Sequence, residues 1–176
     1  MNMHISLLIN GAEKQAAGGK TFTRINPFTQ EVATTASAAS LEDAAAAVDA
    51  AAAAFPAWSK AGPGERRKIL LKAADIMESK TAEFSDLVVA ETGATGHWGA
   101  FNVMVAASML REAASMTTQI SGEVIPSNKP GSLSMGMRQA VGVCLGIAPW
   151  NAPIILGTRA VAMPLACGNT VILTAS

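Results

Sequence analysis

The segment AVGVCLGIAPWNAPIILGTRAVAMPLACGNTVILTAS, residues 140–176, constrains the fold more than any other part of the chain. Val141–Ile147 and Thr170–Leu173 are short apolar runs and read as strands. Between them, residues 148–152 form a turn, Pro153 opens a helix that runs to Leu165, and Gly168-Asn169 turns the chain back. Strand, helix, strand in that order is a βαβ unit. The two strands are therefore expected to be parallel, and both are nearly continuous in apolar residues, as strands covered on two faces must be.

What precedes this unit is of two kinds. Leu7 to Thr35 reads as short strands and turns, with Asn10-Gly11 as a hairpin signal, Asn26-Pro27 as a turn and residues 31–34 as a strand. Helices follow. Ser40 with Asp43 three residues on makes an acidic variant of a capping box ahead of the alanine run to Phe55. Pro63 opens a second helix with Ile69, Ala73, Ile76 and Met77 as its stripe, and Thr81–Thr92 forms a third that Gly93 stops. A long helix over 97–119 carries Phe101, Met104, Val105 and Met109, and these stripes are expected to pack the core. After a turn-rich connection over 126–131, the alternation of Met135 and Met137 argues for a strand near 134–139.

Thirteen basic and thirteen acidic residues balance to zero, which leaves no electrostatic footprint for nucleic acid or an anionic membrane. No basic region and long apolar stretch open the chain, and the apolar runs break well short of a membrane span, so a soluble protein without a signal peptide is expected. Cys144 and Cys167 are too few for a disulfide framework and fit a reducing, cytoplasmic setting. His97 has no second histidine at metal-ligand spacing, and no metal site is expected. Charged residues make up 15% of the chain and mean hydropathy is +0.31, so surface that further chain or another subunit covers is expected. A parallel strand also wants a helix back across its sheet, and the chain stops three residues after Leu173. The sequence is accordingly expected to be part of a longer protein.

Gly146 to Pro153, GIAPWNAP, holds the chemistry-bearing residues. It falls where the first strand ends, and ligands of α/β sheets bind outside the carboxyl ends of strands. An amide there can donate to an oxyanion that develops in a reaction, or Asn151 can cap the helix that Pro153 starts; spacing leaves both readings open.

PWNAP at 149–153 followed by PLACGNTVIL at 164–173 resembles the aldehyde dehydrogenase superfamily. RINPFTQEV at 24–32, AFPAWSKAGPGERRKILLKAADIME at 54–78 and ETGA at 91–94 resemble it in the same order, over nearly the whole chain. The resemblance implies an α/β fold: the N-terminal part of a Rossmann-like parallel sheet with helices, plus strands of an oligomerisation sheet. It divides the chain into 1–133, the N-terminal part of the cofactor-binding domain; 134–140, an oligomerisation-sheet strand; and 141–176, the first βαβ unit of the cofactor domain. It gives Asn151 the oxyanion role, and places Ile147, Ala148, Pro149 and Trp150 along the cofactor cleft together with Thr174, Ala175 and Ser176. The implied cofactor is NAD, with NADP as the alternative. No G-x-G-x-x-G is present, as the resemblance leads one to expect, because that family contacts phosphate differently.

One departure concerns Thr174, where relatives usually carry a lysine that bonds the adenine ribose; its hydroxyl offers one neutral bond of about 0.5–1.5 kcal/mol against roughly 1.5–3 for a charged one. The family's nucleophilic cysteine and general-base glutamate lie beyond residue 176, and Cys144 and Cys167 read as structural. Within the superfamily, ESKT at 78–81, WGAFNV at 98–103, REAASM at 111–116 and LSMGMR at 133–138 look most like salicylaldehyde dehydrogenases. The implied partners are a small aromatic aldehyde and a homo-oligomer, dimer or tetramer, of the full enzyme. Arg159 lies about two helical turns beyond Asn151 and reads either as a polar anchor for the substrate or as a surface ion pair. Trp98 reads as an aromatic wall or as core; Asn102, Ala152 and Leu156 are assigned with it to the substrate side. The rival reading is a stand-alone fragment or pseudoenzyme that at most binds a nucleotide.

Overall fold

The computed structural model describes residues 3–175. The chain opens with β1 (Met3–Ile5), β2 (Leu7–Ile9), β3 (Ala12–Lys14), β4 (Thr21–Ile25) and β5 (Val32–Ser37). Strands β2 and β3 form the Asn10-Gly11 hairpin, and both turn residues take positive φ, 51° and 74°. Asn and Gly tolerate that backbone, so a two-residue turn closes there. Strand β5 lies between β1, to which it is parallel, and β4, to which it is antiparallel.

Four helices follow: α1 (Leu41–Trp58), α2 (Pro63–Ser79), α3 (Thr81–Thr92) and α4 (Gly96–Met116). Ser40 caps α1 and the capping box is complete, with Asp43 N–H donating to Ser40 Oγ and Ser40 N–H donating to the Asp43 carboxylate. The same carboxylate accepts the Ala17 N–H at 3.0 and 3.2 Å, which ties the strands to the first helix. Thr34 Oγ1 donates to Glu91 and makes a second tie, from β5 to α3. Gly93 ends α3 in the left-handed region, as a C-cap glycine does.

The long helix α4 packs against α2, α3 and α5 (Pro153–Ala166). Its buried face is not the large-residue stripe expected from the sequence. Phe101 and Met104 are exposed, and the buried side is made of Gly99, Asn102, Val103, Ala106, Ala107, Leu110, Ala113 and Ala114. On α2 the buried line is Arg66, Leu70 and Ala74; of the expected stripe Ala73 and Met77 pack against the core, while Ile69 and Ile76 are about half exposed. The physical reason is proximity: small side chains let three helices approach closely, and the bulky residues are turned outward. Leu70, Ala74, Ala107, Leu110, Ala113, Ala114, Ala162 and Ala166 form the core of this three-helix contact. Arg111 crosses from α4 to α2 and bonds Glu78 and Asp75 at the surface; its donation holds the Glu78 carboxyl below the usual carboxylate range.

Strands β6 (Glu123–Ile125) and β7 (Ser134–Gly136) pair antiparallel. The strand read near 134–139 is thus shorter than expected, and its partner β6 was not foreseen. The last elements are β8 (Val143–Ile147), α5 and β9 (Thr170–Thr174), with β8 and β9 parallel in the register Val143↔Thr170 to Ile147↔Thr174. This is the expected βαβ unit. Asn169 fixes its closing turn: Oδ1 accepts the N–H groups of Val141 and Gly142, and Nδ2 donates to Pro164 O. Gly146 allows α5 to sit on the sheet, since a Cβ there would stand 2.7 Å from Ala160 Cβ. Helix α1 joins the unit through Thr170 Oγ1 donating to Ala51 O and Trp58 Nε1 donating to Leu165 O.

Candidate active site at the carboxyl edge of the parallel strands

β8 and β9 both end at one edge, and the chain leaves β8 there as the turn Ala148–Ala152. Ala148 N–H donates to Thr174 O at 2.9 Å, which prolongs the ladder by one bond and pins the start of the turn. Ala148 is buried beneath it, whereas Ile147 and Trp150 are 70% and 66% exposed and Pro149 is exposed beside them. The residues assigned to the cofactor therefore share one edge: Ile147, Ala148, Pro149 and Trp150 from the first strand and turn, and exposed Thr174 and Ala175 from the second. Ser176 lies outside the described residues.

Asn151 sits at the next step of the turn, exposed. Helix α5 starts at Pro153 with Ala152 as its N-cap, and no side chain bonds its first turn. The carboxamide of Asn151 makes no cap hydrogen bond to the first turn of α5. Its backbone carbonyl is engaged instead: Trp98 Nε1, at the start of α4, donates to Asn151 O at 3.2 Å across 53 residues. No spacing rule reaches that far, and the sequence alone carried no signal for it.

Trp98 stacks on Phe101 with ring centroids 5.5 Å apart. It stands beside the turn, and the structure brings Trp98 and Asn151 together. Asn102 is fully buried, with Nδ2 donating to Trp98 O on its own helix and Oδ1 without a partner among the described residues. On α5, Ala152 is buried, Leu156 is partly buried, and Arg159 is exposed. Among the described residues no ion pair holds the Arg159 guanidinium. Cys144 lies within β8 and Cys167 at the C-cap of α5, so neither stands in the turn. Among the described residues no three His, Cys, Asp or Glu side chains gather as a metal site would need, and no helix is long and apolar enough to cross a membrane.

Such an edge offers apolar and aromatic surface for a flat ligand and one amide free to donate a hydrogen bond next to it. Comparison with known proteins bears on what that combination serves. The profile of the Aldehyde dehydrogenase family matches residues 14–176. A vanillin dehydrogenase of Pseudomonas sp. (strain HR199 / DSM 7063) is 61% identical over 98% of this chain and 36% of its own length. A crystal structure of a salicylaldehyde dehydrogenase from Pseudomonas putida G7, complexed with salicylaldehyde, superposes with a TM-score of 0.97 at 47% identity, over 99% of this chain and 36% of that one. PnpE in complex with nicotinamide adenine dinucleotide superposes with a TM-score of 0.93 at 34% identity, over 97% of this chain and 35% of that one. The chain thus spans about 36% of the length of the curated relatives it matches.

Proposed function

The chain belongs to the aldehyde dehydrogenase family, and from that premise we propose that it serves the NAD-dependent oxidation of a hydroxylated aromatic aldehyde to the carboxylate. Asn151 carries the reading: its carboxamide is free of the helix cap and stands at the strand edge where an α/β sheet presents ligands. When a nucleophile adds to the aldehyde carbon, the carbonyl oxygen becomes an oxyanion. A fixed amide donor there is worth about 2.7–4 kcal/mol of barrier. Neither Cys144, within β8, nor Cys167, at the C-cap of α5, is placed to supply the nucleophilic thiolate at the turn.

The exposed edge fits a dinucleotide, and Ile147, Ala148, Pro149, Trp150 and Thr174 would hold NAD there, which supplies the hydride acceptor. Substrate water provides the second oxygen of the carboxylate. On the substrate side we place Trp98 as an aromatic wall with Leu156 and Ala152, and Arg159 as the polar anchor; Asn102 supports Trp98 from beneath. The proposal includes a homo-oligomer that associates through the β6–β7 strands, whose Val124 and Met135 are exposed.

Identity to the vanillin dehydrogenase exceeds that to the salicylaldehyde dehydrogenase, and both named aldehydes carry a phenolic hydroxyl. The substrate is therefore proposed as that class, with salicylaldehyde as one member. The protein expressed from its complete gene is assayed for NADH formation with vanillin, salicylaldehyde and benzaldehyde, as wild type and as Arg159→Leu. A charge-assisted hydrogen bond predicts a roughly 10–150-fold advantage in kcat/KM for a hydroxylated aldehyde, and its loss in the variant. An unchanged preference would remove Arg159 from the substrate site; activity confined to aliphatic aldehydes would overturn the substrate class.

A further inference from the structure

We infer that Trp98 is a positioning residue for the Asn151 turn: its indole N–H holds the Asn151 carbonyl and thereby sets the backbone from which the carboxamide projects. The inference rests on the reading of Asn151 as the oxyanion donor.

Every polar atom of Trp98 is already committed. Its backbone N–H donates to Thr95 Oγ1, the N-cap of α4, at 3.2 Å. Its carbonyl accepts from Asn102 Nδ2 at 3.0 Å, and Asn102 is fully buried and cannot follow solvent. Its ring stacks on Phe101 at an interplanar angle of 23°. The next residue, Gly99, is pressed against α3 so closely that a Cβ would stand 2.7 Å from Ser85 Cα. The start of α4 is therefore a fixed support.

The turn it reaches is the opposite. Ala148 is bonded to Thr174 and Ala152 O to the N–H of Leu156, but between them, among the described residues, the indole makes the single hydrogen bond to residues 149–151. Without that bond three exposed residues span the gap between strand and helix with nothing to fix their backbone. A donor must be aimed before the reaction to be worth its full effect, because reorganisation during the reaction costs rate. The indole supplies the aim.

The test has a structural arm and a kinetic arm. In the first, the chain carries ¹⁵N, and Trp98→Phe is compared with wild type. Trp98→Phe is expected to shift the Asn151 backbone and side-chain amide signals, leaving the Trp58 indole, which donates to Leu165 O, in place as a marker of intact fold. In wild type the Trp98 indole proton should exchange roughly 10-fold or more slowly than that of exposed Trp150. Should Trp98→Phe disturb packing, a benzothienyl isostere at position 98 removes the N–H alone. Equal exchange for Trp98 and Trp150, or unmoved Asn151 signals with the isostere, overturns the inference.

In the second arm the protein from the complete gene is measured as Trp98→Phe, Asn151→Ala and the pair. Trp98→Phe should lower kcat roughly 3–10-fold, as loss of one neutral hydrogen bond does, over and above any change in KM from the altered wall. Its cost should vanish in the Asn151→Ala background. A change confined to KM would make Trp98 a wall of the pocket only, and additive losses would mean that it does not act through Asn151; either overturns the inference. If Asn151→Ala by itself leaves kcat intact, the oxyanion reading fails, and the exchange and shift data decide the positioning of the turn separately.

Discussion

Asn151 concentrates the residue-scale argument because two roles compete for one carboxamide. A helix cap would consume it. Ala152 takes the N-cap position and the Asn151 carboxamide makes no bond to the first turn, so the side chain is left free. Asn151→Ala in the protein from its complete gene is expected to lower kcat by roughly 10²–10³-fold, with thermal stability changed little. Steady-state kinetics beside a melting curve separate the roles: a stability loss of about 1 kcal/mol with intact kcat would be the signature of a cap. The place of Asn151 just past a strand end was legible in the sequence because a strand end, a proline and a helix start are local signals, whereas the roles of the edge residues came only with the family resemblance. Trp98's bond was not legible, since a contact across 53 residues is set by how α4 and α5 pack.

Elements show the same division between local and distant causes. The capping box at Ser40, the Asn10-Gly11 hairpin, the Gly93 stop and the βαβ order all depend on residues within a few positions of each other, and all stand where the sequence placed them. The parallel pairing of β1 with β5 and the buried faces of α2 and α4 depend on neighbours far along the chain. For those helices part of the expected stripe misled: Ile69, Ile76, Phe101 and Met104 face outward while Ala73 and Met77 do pack against the core, because close helix approach favours alanine over bulk at the contact itself. Two predictions belong here. Gly146→Ala forces a methyl against Ala160 and Leu173 and should destabilise by about 1–3 kcal/mol in chemical denaturation. Replacing Ala160 by Gly in the same chain should return part of that loss, less about 1 kcal/mol for a helical glycine. The second concerns acid. Asp43 accepts first from Ser40 N–H, and from Ala17 N–H and the Ser40 hydroxyl as well, and these hold its carboxyl below the usual range against some desolvation. A depressed native pKa gives stability that is present above the unfolded value near 4 and is lost as pH falls through the folded one. Melting temperatures measured from pH 6 down to pH 2 should therefore fall more steeply for wild type than for Asp43→Asn. Parallel curves would show that the capping carboxylate adds nothing to pH dependence.

For the whole molecule, the functional elements are unequally represented. The edge and the amide proposed for cofactor and oxyanion are on this chain, whereas neither Cys144, within β8, nor Cys167, at the C-cap of α5, stands at the turn. The purified 176-residue chain, its mass confirmed, is expected to form no NADH from any aromatic aldehyde above a boiled control; turnover that persists after depletion of longer species would refute this. Six of the eight residues in the three-helix core are alanines, and among the described residues Val103 and Asn102 are the largest side chains that are fully buried. That composition has a calorimetric consequence. The heat-capacity increment of unfolding scales with apolar area exposed on melting, and is about 12–15 cal/mol/K per residue for ordinary domains. A core of methyl groups hides little such area, while Leu8, Phe28, Leu145, Ile147 and Trp150 are already wet. Scanning calorimetry of this chain should give an increment below that range, and hence a stability curve that is shallow in temperature, with its maximum broad and its cold limb remote.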